Sequence, residues 1–327
     1  MRLLILGGTQ FVGRRITEAA LAHGHEVTLF NRGKTNANLF PDANVLIGDR
    51  KSNVSALEGT TWDAVIDVNG YLPADVERVL SAVATTHYTF ISTISVYAEH
   101  HAGDDESAAI APMPEGADES KITGETYGPL KIQCEQLIES RYPNHTLIIR
   151  PGLVAGAYDH TDRWTYYTVR TSQGGDMLVP GNPERPIQVI DARDLAEFTV
   201  QMTAKLATGI YNVTGHSTPL GDLLSEATAV TGTSPIYLWA DDAFLLEHGI
   251  QPWQDFPIWM PESTNGVHHK NVQKALDAGL VLHPIRETIS DLWAWWQAER
   301  ADTPLAGSSL SPERERELLD KWNARRS

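Results

Sequence analysis

Short apolar runs alternate with amphipathic helical segments through the first half of the chain, a glycine turn sits at the first strand–helix junction, and the last third becomes tryptophan-rich and helical. Together these predict an α/β protein: a doubly wound parallel sheet with a smaller, mostly helical C-terminal domain. Leu3 to Leu6 reads as a strand buried on both faces, because it is a continuous apolar run rather than an alternating one. Gly7 and Gly8 end it, and a helical pattern begins near Phe11, with Val12, Ile16, Ala19, Ala20 and Leu21 on its apolar stripe. Strand, glycine turn and helix N-terminus together suit a dinucleotide. Glycines let backbone approach a pyrophosphate, and the positive end of the helix attracts it. The spacing is Gly7-x-x-Gln10-x-x-Gly13, a three-glycine pattern with glutamine in the middle.

Residues 26–30 read as the second strand, ending in Asn31-Arg-Gly-Lys34. An acidic residue there would bind the 2′-hydroxyl of an adenosine ribose, whereas arginine accommodates a 2′-phosphate. Arg32 and Lys34 therefore favour NADP(H), with NAD(H) as the alternative. Residues 44–50 suggest a third strand that presents Asp49 to the adenine edge. Residues 62–70 suggest a fourth, with Val68, Asn69 and Gly70 bordering the cofactor. A helix over residues 73–85 leads to a fifth strand, 87–92, and then to residues 93–97. Residues 99–123 are acidic and rich in Gly and Pro, a long loop of the kind that covers active sites. A helix from Tyr127 to about Arg141 and a sixth strand at 145–149 complete the regular alternation. Beyond it, residues 187–190 read as a short strand, the next segment as a helix to about Lys205, residues 211–215 as a strand and 219–231 as a helix. Pro312 opens a final helix with a charged face.

The chain has 327 residues, 42% of them hydrophobic, which suits one or two globular domains. No apolar stretch approaches the length of a membrane span, and the strand-like start leaves no room for a cleavable signal. The single cysteine, Cys134, excludes an intrachain disulfide and fits a cytoplasmic protein, with Cys134 expected as a core residue. A net charge of −16 argues against a nucleic-acid partner. The twelve histidines show no metal-ligand spacing, so no metal is expected.

Tyr127 and Lys131 are four apart and share a helix face. A lysine ammonium beside a phenol favours the phenolate and makes tyrosine a usable acid/base near neutrality. Thr93, at the end of the fifth strand, offers a hydroxyl to a substrate oxygen that gains or loses charge. Pro129 lies between the pair and is compatible with a helix that begins there.

The stretches Gly7-Gly-Thr-Gln-Phe-Val-Gly13, Ser92-Thr-Ile-Ser-Val-Tyr97, Tyr127-Gly-Pro-Leu-Lys131 and Arg150-Pro-Gly-Leu-Val154 resemble the extended short-chain dehydrogenase/reductases, the NAD-dependent epimerase/dehydratase type. The resemblance implies a Rossmann domain over residues 1–155, joined by 187–215, and a substrate or cap domain from 156–186 and 216–327. It implies that Tyr127 transfers the proton, that Lys131 orients the nicotinamide ribose and tunes Tyr127, and that Thr93 polarises the carbonyl or alcohol. The cofactor would follow Gly7, Thr9, Gln10, Phe11, Val12 and Gly13, then Asn31, Arg32, Lys34 and Asp49. It would continue past Val68, Asn69 and Gly70 to Ser92, Tyr127 and Lys131, with Pro151 and Val154 along the nicotinamide.

Gln10 and the Arg-Gly at 32–33 are similar to a divergent branch, the chloroplast stem-loop RNA-binding proteins. Sugar-nucleotide 4,6-dehydratases place Asp-Glu after the catalytic threonine; Ile94-Ser95 stands there in this chain and argues against dehydration. The expected activity is that of an NAD(P)-dependent oxidoreductase acting on a small carbonyl, alcohol or nucleotide-sugar substrate. A nucleotide-sugar epimerase with tightly held NAD is one alternative, and a non-catalytic nucleotide-sensing or RNA-binding relative is another. Arg163, Trp164 and Tyr167 are candidate substrate contacts, with the arginine suited to an anionic group. A homodimer is usual among the proteins this chain resembles.

Overall fold

Buried strand residues fix the architecture of the first unit. The opening strand, Arg2–Leu6, is sealed from Leu3 onward and pairs on both sides, with Leu6 in register with Phe30 on one neighbour and Asp67 on the other. The computed structural model describes residues 1–305 and 309–326. Among these, seven strands form one sheet in the order Gly209–Val213, Thr146–Pro151, Tyr88–Ile91, Ala64–Asp67, Arg2–Leu6, Glu26–Asn31 and Asn44–Ile47. Every pairing in it is parallel. The chain winds outward from the first strand in one direction, then returns to the other side of it. The strand order therefore reverses between Arg2–Leu6 and Ala64–Asp67, where doubly wound sheets open a crevice at their carboxyl ends.

Strand residues alternate between the two faces. Leu4, Leu6, Val65 and Phe90 cluster with Val76, Val79, Cys134 and Ile138, so helices Pro73–Ala82 and Tyr127–Arg141 cover one face and pack on each other. Helices Phe11–Ala22 and Ala192–Ala204 form a second packed pair. Cys134 is a fully buried core residue, and burial pushes its thiol up to about 12, so it is no nucleophile.

The chain divides into two units: Met1–Gly152, Ala192–Thr214 and Lys270–Val281 in the first, and Leu153–Asp191, Gly215–His269 and Leu282–Ser327 in the second. The second unit has helices Arg163–Ser172, Leu220–Thr231, Ile285–Glu299 and Pro312–Arg326 around a core that includes Trp164, Tyr167, Phe244, Phe256 and Trp259. It also holds a parallel strand pair, Asp176–Pro180 with Ile236–Ala240, which sequence periodicity did not reveal. Strand Pro186–Asp191 was expected with the large sheet. It instead pairs parallel to Leu153–Ala155 and antiparallel to Ser217–Pro219, both within the second unit. The third strand stops at Ile47, and residues 94–96 form a short 3₁₀ turn. Among the described residues no helix is long and apolar enough to cross a membrane.

His87, just before strand Tyr88–Ile91, has both ring nitrogens buried without a hydrogen-bond partner among the described residues. Burial, aided by nearby His145, pushes its imidazole down to about 4. The native state thus holds a neutral ring, while the unfolded chain takes up a proton below about pH 6.5. His87 stability is complete above that value and is lost as the pH falls toward 4. His87→Leu should therefore flatten the drop in urea midpoint between pH 7 and pH 4.5; an unchanged drop would show that His87 does not contribute.

Candidate active site

The glycine turn is dictated by contacts within the protein. Gly7 has φ +91°, a left-handed conformation that favours glycine, and a Cβ there would lie 2.7 Å from Asn69 Nδ2. A Cβ on Gly13 would stand 2.0 Å from the Gly7 carbonyl oxygen, so helix and turn meet backbone to backbone. The Thr17 hydroxyl lies 2.9 and 3.0 Å from the carbonyls of Gly8 and Gly13 and ties the two together. Gln10 occupies the N-cap with φ −138°, extended backbone that any residue adopts, and its side chain is exposed. Glutamine in place of the middle glycine therefore costs the turn nothing sterically. Phe11 enters the helix at φ +39°, a strained value for a non-glycine residue, and Val12 is half-buried behind it.

A cleft of about 290 Å³ opens beside this turn. Gly7, Thr9 and Gln10 form one wall. Asn31, Arg32 and Lys34 extend it from the second strand, and Asp49, Lys51 and Asn69 come from the next two strand exits. Asn31 and Asp49 use their side chains to cap their own loops, accepting from Gly33 N at 2.7 Å and Lys51 N at 3.0 Å. Arg32, Lys34 and Lys51 have no carboxylate partner among the described residues and are exposed to the cleft. Three unpaired cations thus gather in one crevice of a chain carrying −16. Phe11, Val12, Gly13, Val68, Gly70 and Ser92 are not part of this cleft wall.

The floor is a buried ion pair that the sequence reading passed over. Asp67 ends the central strand fully buried and takes two hydrogen bonds from the Arg50 guanidinium, at 3.0 and 2.6 Å. Tyr88 OH donates to the same carboxylate at 3.0 Å, and Arg50 also donates to Asn69 Oδ1 at 3.0 Å. Burial alone would lower the Arg50 guanidinium; the Asp67 charge and hydrogen bonds hold it above its ordinary value. A lone acid closing the apolar run 64–66 was the available signal, since a buried carboxylate must have a partner.

Helix Tyr127–Arg141 begins at Tyr127, so Pro129 falls in the first turn, where it breaks no hydrogen bond. Gly128 is required by packing: a Cβ there would lie 2.0 Å from the Ser95 carbonyl oxygen. That contact sets Tyr127 beside the Ser92–Val96 segment. Thr93 caps the 3₁₀ turn, accepting from Ser95 N and donating to Ser95 Oγ, both at 3.1 Å. Lys131 is buried, and its Nζ donates to the carbonyls of Gly70 at 2.7 Å and Ile91 at 2.6 Å. These are the exits of the two strands on the far side of the crevice. One turn further along, Glu135 receives Arg150 at 3.1 and 2.6 Å, fastening the helix to strand Thr146–Pro151. Ser92 Oγ is buried without a partner among the described residues. An orphaned hydroxyl there, the glycine cradle and the unpaired cations fit a nicotinamide dinucleotide.

In the second unit two expected substrate residues are corrected. Trp164 is fully buried and stacked on Tyr167 at 5.5 Å, and Tyr167 OH donates to Pro257 O at 2.7 Å. Both are core, because the apolar stripe of helix Arg163–Ser172 faces inward. Arg163 is exposed, with its guanidinium 5.7 Å from the Trp253 ring. Val154 also belongs to this unit, paired with Ile190, whereas Pro151 closes a strand of the first. Among the described residues no cluster of His, Cys, Asp or Glu could hold a metal.

The profile of the NAD dependent epimerase/dehydratase family matches residues 3–214. The chain is 29% identical over 255 residues to the chloroplast stem-loop binding protein of 41 kDa b of Arabidopsis thaliana, covering 72% of this chain and 64% of that one. It is 24% identical over 245 residues to pinoresinol reductase 2 of the same plant, covering 70% and 72%. The chain therefore spans less than two thirds of the chloroplast relative's length. Among solved structures, a nucleoside-diphosphate-sugar epimerase from Pseudomonas aeruginosa superposes with a TM-score of 0.70 at 17% identity, over 92% of this chain and 98% of that one. The UDP-glucuronic acid 4-epimerase of Bacillus cereus in complex with NAD does so at 0.68 and 16%, over 94% and 100%. At these identities the structures share the fold.

Replacing Arg50 with glutamine leaves Asp67 buried without its counter-charge. Urea denaturation should show a loss of about 3–5 kcal/mol. The double variant Arg50→Gln/Asp67→Asn should recover part of it, and additive losses would mean the pair is not coupled.

Proposed function

The chain belongs to the NAD dependent epimerase/dehydratase family, and on that premise we propose that it is an NADP(H)-preferring oxidoreductase working at a carbonyl/alcohol carbon of a small molecule. The observation that carries the reading is the placement of one helix. Tyr127–Arg141 delivers Lys131 to the exits of two central strands, sets Tyr127 one turn earlier and packs Gly128 against the Thr93–Ser95 turn. A bound nicotinamide dinucleotide would supply the hydride donor or acceptor. Gly7, Thr9 and Gln10 would hold its pyrophosphate, Asn31 and Asp49 its adenosine side, and Arg32 and Lys34 a 2′-phosphate.

The protein's own part is proton handling. Tyr127 gives or takes the proton at its phenolic oxygen as the substrate oxygen gains or loses charge. The nearby positive charge of Lys131 favours the phenolate. Thr93 and Ser95 offer hydroxyls beside that oxygen, already oriented by their mutual hydrogen bond. Ile94 and Ser95 provide no carboxylate pair, which supports redox chemistry over elimination of water.

Titration of purified protein with NADPH and NADH tests the cofactor. NADPH should bind more tightly, and Arg32→Ala should reduce that preference by about tenfold, or 1.4 kcal/mol. Equal binding of both would remove the 2′-phosphate role of Arg32. Nucleotide retained through purification, with no net NAD(P)H consumption, would favour the epimerase instead. Tyr127→Phe should lower turnover of any carbonyl substrate found in a panel by about 10²–10⁴. Unchanged turnover would remove Tyr127 as the acid/base.

A further inference from the structure

Lys131 is more enclosed than its place at the crevice suggests. It is 1% exposed, two of its three N–H donors go to carbonyls, and aromatic rings close much of the space around the ammonium. The Phe90 ring lies 4.0 Å from Nζ and the Tyr71 ring 5.3 Å. The two rings differ in burial. Phe90 is fully buried on a central strand, in register with Asp67. Tyr71 sits in the loop between strand Ala64–Asp67 and helix Pro73–Ala82, is 43% exposed and lines the cleft. Its ring is also 6.3 Å from that of Tyr127, tilted by 39°. Displacing the Tyr71 ring toward the cleft leaves the core packing intact, whereas displacing Phe90 would open it.

We propose that Tyr71 is the gate of this crevice: its ring shuts Lys131 away from the cleft, and a ligand hydroxyl meets the ammonium only when that ring swings aside. The identity of the ligand, a dinucleotide ribose, rests on the function proposed above, whereas the gate rests on ring positions alone. Tyr71 is thus a positioning residue, acting through Lys131 and Tyr127. Burial pushes the Lys131 ammonium down to about 8, so above that pH the enclosed side chain is largely a free amine, and access rather than protonation limits its reaction with aldehydes.

The test uses full-length protein and pyridoxal 5′-phosphate at pH 8.5. The aldehyde condenses with a free amine, releasing water, and borohydride reduces the imine to a stable secondary amine. Mass spectrometry of the Lys131 peptide then gives its labelling rate, with Lys34 and Lys51 as exposed internal references. Tyr71→Ala should label Lys131 at least about tenfold faster than the natural protein, with the reference lysines unchanged. Tyr71→Phe, which keeps the ring, should label at the natural rate. Tyr71→Leu replaces the alanine variant if the urea midpoint of the alanine variant shows that it is not folded. Equal labelling of the natural protein and the ring-less variant would overturn the gate. NADPH should protect Lys131 in the ring-less variant. Fast labelling without protection would leave the gate standing and count against the dinucleotide reading instead.

Discussion

Asp67 is a carboxylate with no exposure, at the carboxyl end of a strand flanked on both sides, and such a charge is tolerable only if fully partnered. Its partners organise the cleft. Arg50 reaches it from the loop after the third strand, Tyr88 from the neighbouring strand, and the Asn69 backbone N–H from two residues on. Arg50 also holds the Asn69 side chain, which lies where a Cβ on Gly7 would be. The loop after the third strand, the exit of the central strand and the glycine turn are thereby joined through one carboxylate. The charges of Arg32, Lys34 and Lys51 lie beyond this network and face the cleft.

The opposite side of the crevice follows a different rule. There, backbone carbonyls rather than acids receive the cation: Lys131 is held by Gly70 and Ile91, at the carboxyl ends of two strands. Carbonyls satisfy an ammonium without neutralising it. The charge stays on the lysine side chain, and its burial lowers the ammonium to about 8. Glu135 and Arg150, a buried pair whose arginine also donates to Tyr97 OH at 3.2 Å, fix the helix that carries both groups.

Much of this was legible from local pattern. The apolar run 3–6, the glycines at 7 and 13 and the stripe on the first helix each encode their structure within a few residues. The Tyr127/Lys131 spacing is likewise local, and Pro129 marked the helix start correctly. Arg50 was not legible, because its partner lies seventeen residues away and an arginine after a strand usually faces solvent. Trp164 and Tyr167 misled for a related reason: aromatic residues near an arginine suit a pocket and a core equally well. Strand Asp176–Pro180 carried no alternating pattern, since its last four residues are buried on both faces.

By itself the sequence determined the doubly wound sheet, the glycine turn and the helix bearing the tyrosine–lysine pair, because periodicity and turn chemistry act over a few residues. Tertiary structure alone decided which charges are paired and which remain open. Asp67 takes Arg50, Lys131 takes two carbonyls beneath Tyr71, and Thr93 turns its hydroxyl to Ser95. Those choices depend on strand order and on loops that meet only after the sheet has formed, and electrostatic pairing is settled by distance in space rather than by spacing along the chain.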